Sequence, residues 1–528
     1  MDALLVPLAA TLGASVDQIK LIFCLLVAYP LGSVFIRIPA SQPSLKHLFN
    51  LLVSTFFFIP VLNLPWGFTQ LLASVLGTYF IAANVKGPMM PWIVFTFVMG
   101  HLTINHIIRA LYELSYETIE ITGPQMVLTM KLTIFAWNVW DGRRPAEDLD
   151  KWQIQKRVVK YPSLLEFLGF SFYFPGFLVG PYIDYASYSS LIDGSLFKSA
   201  NPESKNAPRR AIPSGRKRVA YRKMVVGLLF LGAFVVLGPK YHFGIALTPW
   251  FLNQGLLKRI VVFQFCGFIE RCKYYAIWTL TEGASILTGH GFTGYGPSGE
   301  SLWEGAANVR IQTIEFPPNF KVLLDSWNIN TNVWLRECIY KRVTPRGKKP
   351  GFRSSMLTFL TSAFWVSVTE RWLVRDDRTV FQHGIAPGYY LTFIFGGFIT
   401  AAARLCRSGF RPLVLPSPGA PTTTVKRIYD LAGSLASILL LNYVAAPFML
   451  LTLTDSLEAW RRLQWYGFWM VGTALVFFYS GGSKYLQSLQ KKHVKPAVVA
   501  ETNKLLQTPE PLVVPPLEGA VQNLAVKS

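Results

Sequence analysis

The chain has 528 residues, of which 51% are hydrophobic and only 15% charged, and it carries a formal net charge of +22. Soluble domains use roughly 25% charged residues, so this composition excludes an ordinary soluble globular protein and points to a bilayer as the solvent. The positive balance does not point to nucleic acid, because the basic residues flank apolar stretches and no recognition module is visible.

In chain order, an N-terminal segment (1–18) precedes apolar stretches at 19–38, 48–66, 68–85, 90–113, 123–140, 163–183, 223–238, 259–289, 388–404, 428–452 and 463–481. Each approaches or exceeds the roughly 20 apolar residues that cross a ~30 Å hydrocarbon core, where only helices satisfy their own backbone. The expected fold is all-α, a polytopic membrane protein of about ten or eleven transmembrane helices with re-entrant and amphipathic helices added. "YFPGFLVGPY" (173–182) is broken by Pro and Gly and reads as a re-entrant segment rather than a clean span. Residues 19–481 read as one membrane-embedded domain without an internal repeat. Neither a basic leader nor a cleavage site precedes the first stretch, so the first helix is expected to serve as its own insertion signal.

Between the spans, 190–222 is a polar loop rich in Ser, Pro and Arg, and 484–528 is a flexible tail with no apolar span. Positive charge concentrates in "KRVVKY" (156–161), "PRRAIPSGRKRVAYRK" (208–223), "KRVTPRGKKPGFR" (341–353) and "KKHVK" (491–495). The positive-inside rule accounts for such loops, and a polyphosphate partner is the alternative. The five cysteines, Cys24, Cys266, Cys272, Cys338 and Cys406, show no metal-type pairing and are expected to be inert packing residues, with neither disulfide nor metal.

Polar groups at membrane depth are costly and mark places to search for function. His101, Asn105 and His106 lie in "MGHLTINHIIR", Asp141 ends "WNVWD", and Glu282 sits in "IWTLTEGASILTG". For each alone, an interhelical hydrogen bond is the simpler explanation. The densest constellation is "FKVLLDSWNINTNVWLRECIYKRV" (320–343). Trp327, Thr331, Trp334, Leu335 and Cys338 recur there at helical spacing and predict an amphipathic helix, with Asn328, Asn332 and Leu335 on a neighbouring stripe. An amide on that stripe is either an interhelical clamp or a hydrogen-bond partner for a substrate carbonyl or hydroxyl in a dry site.

"WNINTNVWLRECIYKRV", then "SSMLTFLTSAFW" and "HGIAPGYYLTF", resemble the signature region of the membrane-bound O-acyltransferase family, in its lysophospholipid acyltransferase branch. "GHLTINH", "TGPQMVLTMKLTIFAWNVWDGR", "FPGFLVGPYIDYASY" and "ERCKYYAIWTLTEGASILTGHGFTG" resemble the same branch, so that the likeness spans residues 15–480. The resemblance implies helices around a reaction chamber, an endoplasmic reticulum membrane, and acyl-CoA as co-substrate with no further cofactor. It also implies a reaction centre made of Asn328 and His383. His383 would act as general base on the glycerol hydroxyl of a lysophospholipid, and Asn328 would hold the reacting carbonyl. Trp327, Asn332, Asp141, Glu282 and His106 are candidate supporting residues, and Arg342, Lys348 and Lys349 candidates for the CoA phosphates. Two rivals remain at this level. One is a sister acyltransferase with a sterol, diacylglycerol or protein acceptor; the other is a secondary transporter, which would also use broken helices and membrane acids.

One segment departs from the family pattern. There the aromatic pair runs directly into the histidine, whereas here Val366 to Gln382 separates Trp365 from His383. These seventeen residues include Glu370, Arg371, Arg375, Asp376, Asp377 and Arg378, each costing roughly 2.5 to 3.5 kcal/mol at the centre of a membrane helix. They begin Val-Ser and end Phe-Gln, dipeptides that GTN-AGT and TTT-CAG encode, the sequences of a splice donor and acceptor. Seventeen codons also preserve the reading frame. The segment is therefore read as a translated intron, with a genuine family-specific loop as the alternative. Sequencing cDNA across codons 365 to 383 is expected to recover messages lacking these 51 nucleotides, and a message population that uniformly keeps them would establish the loop.

Overall fold

The computed structural model describes residues 2–12, 14–112, 120–197, 212–344, 352–366, 387–416 and 421–493. These are almost wholly helical; one two-stranded hairpin pairs Gly294 with Leu302 and Tyr295 with Ser301. Seven helices among the described residues are long and apolar enough to cross a membrane: Val16–Phe35, Pro43–Val61, Pro65–Asn84, Met90–Arg109, Arg216–Leu237, Pro387–Val414 and Thr424–Leu450. The stretches expected at 123–140 and 259–289 also form continuous helices, Thr122–Gly142 and Leu256–Thr288. The stretch at 463–481 forms the shorter helix Tyr466–Phe477 with a π-wound end. The helix Ser483–His493 takes in the first residues of the C-terminal segment, and Gln490 holds it through bonds to the Ser408 and Gly409 carbonyls.

The described chain falls into two compact units, one drawn from residues up to 239 and 271–308, the other from 240–270 and from 309 onward. In the first unit, local sequence chemistry sets the helix ends. Ser15 and Gln18 form a reciprocal capping box at the start of Val16–Phe35, and Pro43 and Pro65 open their helices at a position where no N–H is needed.

The segment after Leu164–Ser171 is broken rather than continuously helical, as its Pro and Gly content predicts. Phe172, Tyr173, Phe174, Phe177, Tyr182 and Ile183 are all buried, although the backbone between Phe172 and Asp184 lacks a continuous helical ladder. Its carbonyls need partners from elsewhere in the unit. Lys131, itself 1% exposed, donates to the Phe170 and Ser171 carbonyls at 2.5 and 3.0 Å, at the carbonyl-rich end of a helix where a cation is favoured. Ser54 donates to the Phe172 carbonyl at 2.7 Å, and the Trp278 indole to that of Val179 at 3.2 Å. Gly176 is required by close approach, because a Cβ there would overlap the Pro181 carbonyl oxygen. Nearby, the Tyr188 hydroxyl meets His47 Nδ1 at 2.8 Å and accepts from Asn50 Nδ2 at 3.1 Å.

The second unit is built around Pro387–Val414, which packs against Phe352–Val366 and Thr424–Leu450. Its aromatic centre is a parallel stack of Tyr443 on Trp460, ring centroids 5.0 Å apart, with the Trp460 indole donating to the Tyr443 carbonyl at 2.9 Å. Arg462 donates to the carbonyls of Ala246 and Thr248, and Arg259 to that of Arg462. Partly buried arginines thus serve carbonyls at the ends of short helices.

Lys131→Met keeps the side-chain length while removing both bonds to the end of Leu164–Ser171, so the buried Ser171 carbonyl loses its donor. The expected loss is about 1 to 3 kcal/mol, read as a lower melting temperature by tryptophan fluorescence of the detergent-solubilised protein. An unchanged melting temperature would contradict the role assigned to Lys131.

Candidate active site

The periodicity of 320–343 predicts one amphipathic helix, but the structure contains two. The helix Phe320–Ser326 ends at Trp327, whose backbone is extended, and a new helix runs Ile329–Leu335. Asn328 lies between them in the left-handed region, at φ 46° and ψ 56°. Apart from Gly, Asn is among the residues that tolerate this conformation best, at a cost on the order of 1 kcal/mol. Asn328 therefore sits half-buried at an elbow, not on a stripe shared with Asn332 and Leu335 along one cylinder. Apolar spacing cannot report the break, because Trp327, Thr331 and Trp334 would keep a helical pattern on either geometry.

Side chains close the elbow. Asn332 Nδ2 donates to the carbonyls of both Leu324 and Trp327, each at 2.7 Å, so one amide holds the end of the first helix to the first turn of the second. The Thr331 hydroxyl donates to Asn328 Oδ1 at 2.9 Å. Upstream, Asn319 caps Phe320–Ser326 through the Val322 N–H, and the Arg310 N–H reaches the Ser326 carbonyl at 3.0 Å. A strained residue held by this many independent bonds is over-determined, the condition under which strain persists at sites of function.

Beyond Leu335 the backbone is π-wound over Arg336–Tyr340 before Lys341–Val343 closes the helix. Here lies a charged group that the sequence reading passed over. Glu337, 1% exposed, meets Arg336 Nε at 2.7 Å and Lys341 Nζ at 2.8 Å. Arg342 Nε donates to the Glu337 carbonyl at 3.0 Å, so part of the Arg342 head group is spent inside the helix. Burial raises the Tyr340 phenol above its ordinary range, against the opposing field of Arg404. An acid followed four residues later by a lysine was the available signal for the Glu337 and Lys341 pair.

The helix Phe352–Val366 packs on this segment, and the Trp365 ring lies 5.5 Å from that of Trp334. Further on, Pro387 and Gly388 open the long helix Pro387–Val414. Gly388 donates to the Leu451 carbonyl at 2.8 Å, and a Cβ there would collide with the Pro447 and Leu451 oxygens. Only Gly permits that approach. Tyr389 packs on Phe448 with ring centroids 4.6 Å apart.

The structure thus brings Trp327, Asn328, Asn332 and Arg342 into one continuous segment of the second unit. His383, Lys348, Lys349 and the segment 366–382 apart from Val366 lie outside the described residues. His106, Asp141 and Glu282 belong to the first unit. Asp141 is fully buried with Arg144 Nη1 3.4 Å away, Glu282 is buried against Lys223 Nζ at 2.8 Å, and His106 is buried beside Asn105, which donates to Gln125 Oε1. His101 meets Ser74 and Gln70. Lys223 ties the Glu282 helix to Arg216–Leu237, whereas the Asp141 and Arg144 pair is local to one stretch of chain. Among the described residues no group of three His, Cys, Asp or Glu side chains is placed to hold a metal ion.

Residues 108–366 match the family model of MBOAT, the membrane-bound O-acyltransferase family. The chain is 38% identical to "Lysophospholipid acyltransferase" of Schizosaccharomyces pombe, over 86% of this chain and 84% of the relative. It is 37% identical to a protein of the same name in Saccharomyces cerevisiae, over 96% of this chain and 81% of the relative. With "Membrane-bound glycerophospholipid O-acyltransferase 2" of Gallus gallus it shares 29% identity over 86% of this chain and 84% of the relative.

Proposed function

Because the chain belongs to the membrane-bound O-acyltransferase family, we propose that it is a lysophospholipid acyltransferase, moving an acyl chain from acyl-CoA to the free glycerol hydroxyl of a lysophospholipid. It is an integral membrane protein, and the endoplasmic reticulum is the membrane assigned to it in this reading. The observation that carries the site is the elbow at Asn328, a strained, half-buried amide beside the Trp334–Trp365 contact.

His383 is the general base. Its neutral imidazole takes the proton of the glycerol hydroxyl as that oxygen attacks the thioester carbonyl. Negative charge gathers on the carbonyl oxygen, and Asn328 Nδ2 donates to it. The intermediate collapses by breaking the C–S bond, and the imidazolium returns its proton to the CoA thiolate. No covalent acyl-enzyme is needed, because the thiolate is an adequate leaving group. Arg342, Lys348 and Lys349 are the groups assigned to the CoA phosphates, and acyl-CoA is a co-substrate rather than a resident cofactor.

The segment 366–382 bears directly on this chemistry. Without it, His383 follows Trp365, whose ring packs against Trp334 six residues along the chain from Asn328. At 1.5 Å per helical residue that separation is about 9 Å, a span that a histidine side chain and a substrate carbonyl fill together. The family match also stops at residue 366, where the segment begins. Both observations support reading 366–382 as a translated intron that impairs this form. Family membership removes the support for a transporter. A sister acyltransferase with another acceptor is the remaining alternative, decided by pocket shape.

Acylation of lysophosphatidylcholine from oleoyl-CoA, measured in membranes expressing the chain as given, the chain lacking Val366 to Gln382, and that deletion with His383→Ala, tests the reading. Transfer is expected from the deletion, with a loss of about 100-fold or more on removing the base. Equal activity of the chain as given would make the segment a tolerated loop. Silence of all three with every lysophospholipid head group would overturn the acceptor assignment.

A further inference from the structure

We infer that Thr331 is a positioning residue that selects which end of the Asn328 side chain faces the substrate, and that Asn332 makes this selection possible. The inference rests on the reading that Asn328 donates to the thioester oxygen.

A carboxamide is two-faced. Its oxygen accepts and its nitrogen donates, and the terminal torsion that exchanges them is soft. Presented nitrogen first, Asn328 stabilises charge on a carbonyl oxygen; presented oxygen first, it repels that charge. The Thr331 hydroxyl donates to Asn328 Oδ1 at 2.9 Å, which holds the oxygen toward the helix and turns the Nδ2 edge the other way. Thr331 is 5% exposed, so water does not compete for the bond.

A helical threonine hydroxyl ordinarily donates to the carbonyl four residues back. For Thr331, in the first turn of Ile329–Leu335, that carbonyl belongs to Trp327, whose extended backbone precedes the helix and whose carbonyl accepts from Asn332 Nδ2 at 2.7 Å. The same Asn332 amide binds the Leu324 carbonyl and fixes the elbow that brings Asn328 into the left-handed region. With no helical carbonyl four residues back, the Thr331 hydroxyl turns to the Asn328 side chain, which the elbow held by Asn332 places beside it. Asn328, Thr331 and Asn332 act as a unit: one amide sets the backbone, a hydroxyl sets the amide, and the amide meets the substrate.

Steady-state kinetics in the form of the protein that transfers acyl chains test this through a double-mutant cycle of Asn328→Ala and Thr331→Val, with Thr331→Ser as the conservative variant. Removing one such donor outright costs about 10²- to 10³-fold in kcat, so loss of its orientation is expected to cost about 10- to 100-fold. KM for acyl-CoA should stay within about twofold and Thr331→Ser should restore most of the rate, the pattern of an interaction made in the transition state. In the Asn328→Ala background, Thr331→Val should change kcat by less than about twofold, because nothing remains to orient. An equal loss in both backgrounds would reduce Thr331 to a structural residue, and no loss in either would end the inference while leaving the acyltransferase reading intact. Asn328→Ala as active as its parent would overturn the inference and the role assigned to Asn328 alike. If Thr331→Val melts early, Thr331→Ala replaces it in the same cycle.

Discussion

Backbone groups withdrawn from water must find partners inside the protein, and the two irregular segments of this chain depend on that constraint. In the first unit the chain from Phe172 to Asp184 crosses a buried aromatic interior without a continuous helix. Lys131 takes the last carbonyls of the helix before that segment, and Ser54 and Trp278 supply donors within it. In the second unit the elbow at Trp327 and Asn328 is closed by the single amide of Asn332, which donates to the Trp327 carbonyl and to that of Leu324, itself already accepting from the Trp327 N–H. Polar side chains that look anomalous in so apolar a chain are there largely to make non-helical backbone tolerable. Such backbone is what gives a helical membrane protein an interior surface that is not a smooth cylinder.

That division of labour separates the candidate residues. Asp141 and Glu282 are buried acids with basic neighbours, Arg144 three residues along the chain and Lys223 on another helix. Asn328 differs because its backbone is strained and its orientation is set by two neighbouring side chains.

The membrane class and most spans could be read from composition and from runs of apolar residues, because a bilayer imposes both length and hydropathy. The Pro and Gly of "YFPGFLVGPY" announced a broken segment, though not that Lys131, a charge inside an apolar stretch, would close the end of the helix before it. The Asn328 elbow was hidden for a different reason. Its apolar residues keep helical spacing through the break, and a left-handed Asn leaves no mark in periodicity. The π-winding at Arg336–Tyr340 was hidden likewise, although the four-residue spacing of Glu337 and Lys341 was there to be read. Asn328 itself was identified through family resemblance, which carries what periodicity cannot.

The central claim is that the Asn328 amide donates to the reacting carbonyl. Single-turnover acyl transfer by the form lacking Val366 to Gln382, compared with the same form carrying Asn328→Ala, tests it most directly. The account predicts a chemical step slowed by about 10²- to 10³-fold with acyl-CoA binding retained. An unchanged chemical step, or a loss confined to acyl-CoA affinity, would contradict it.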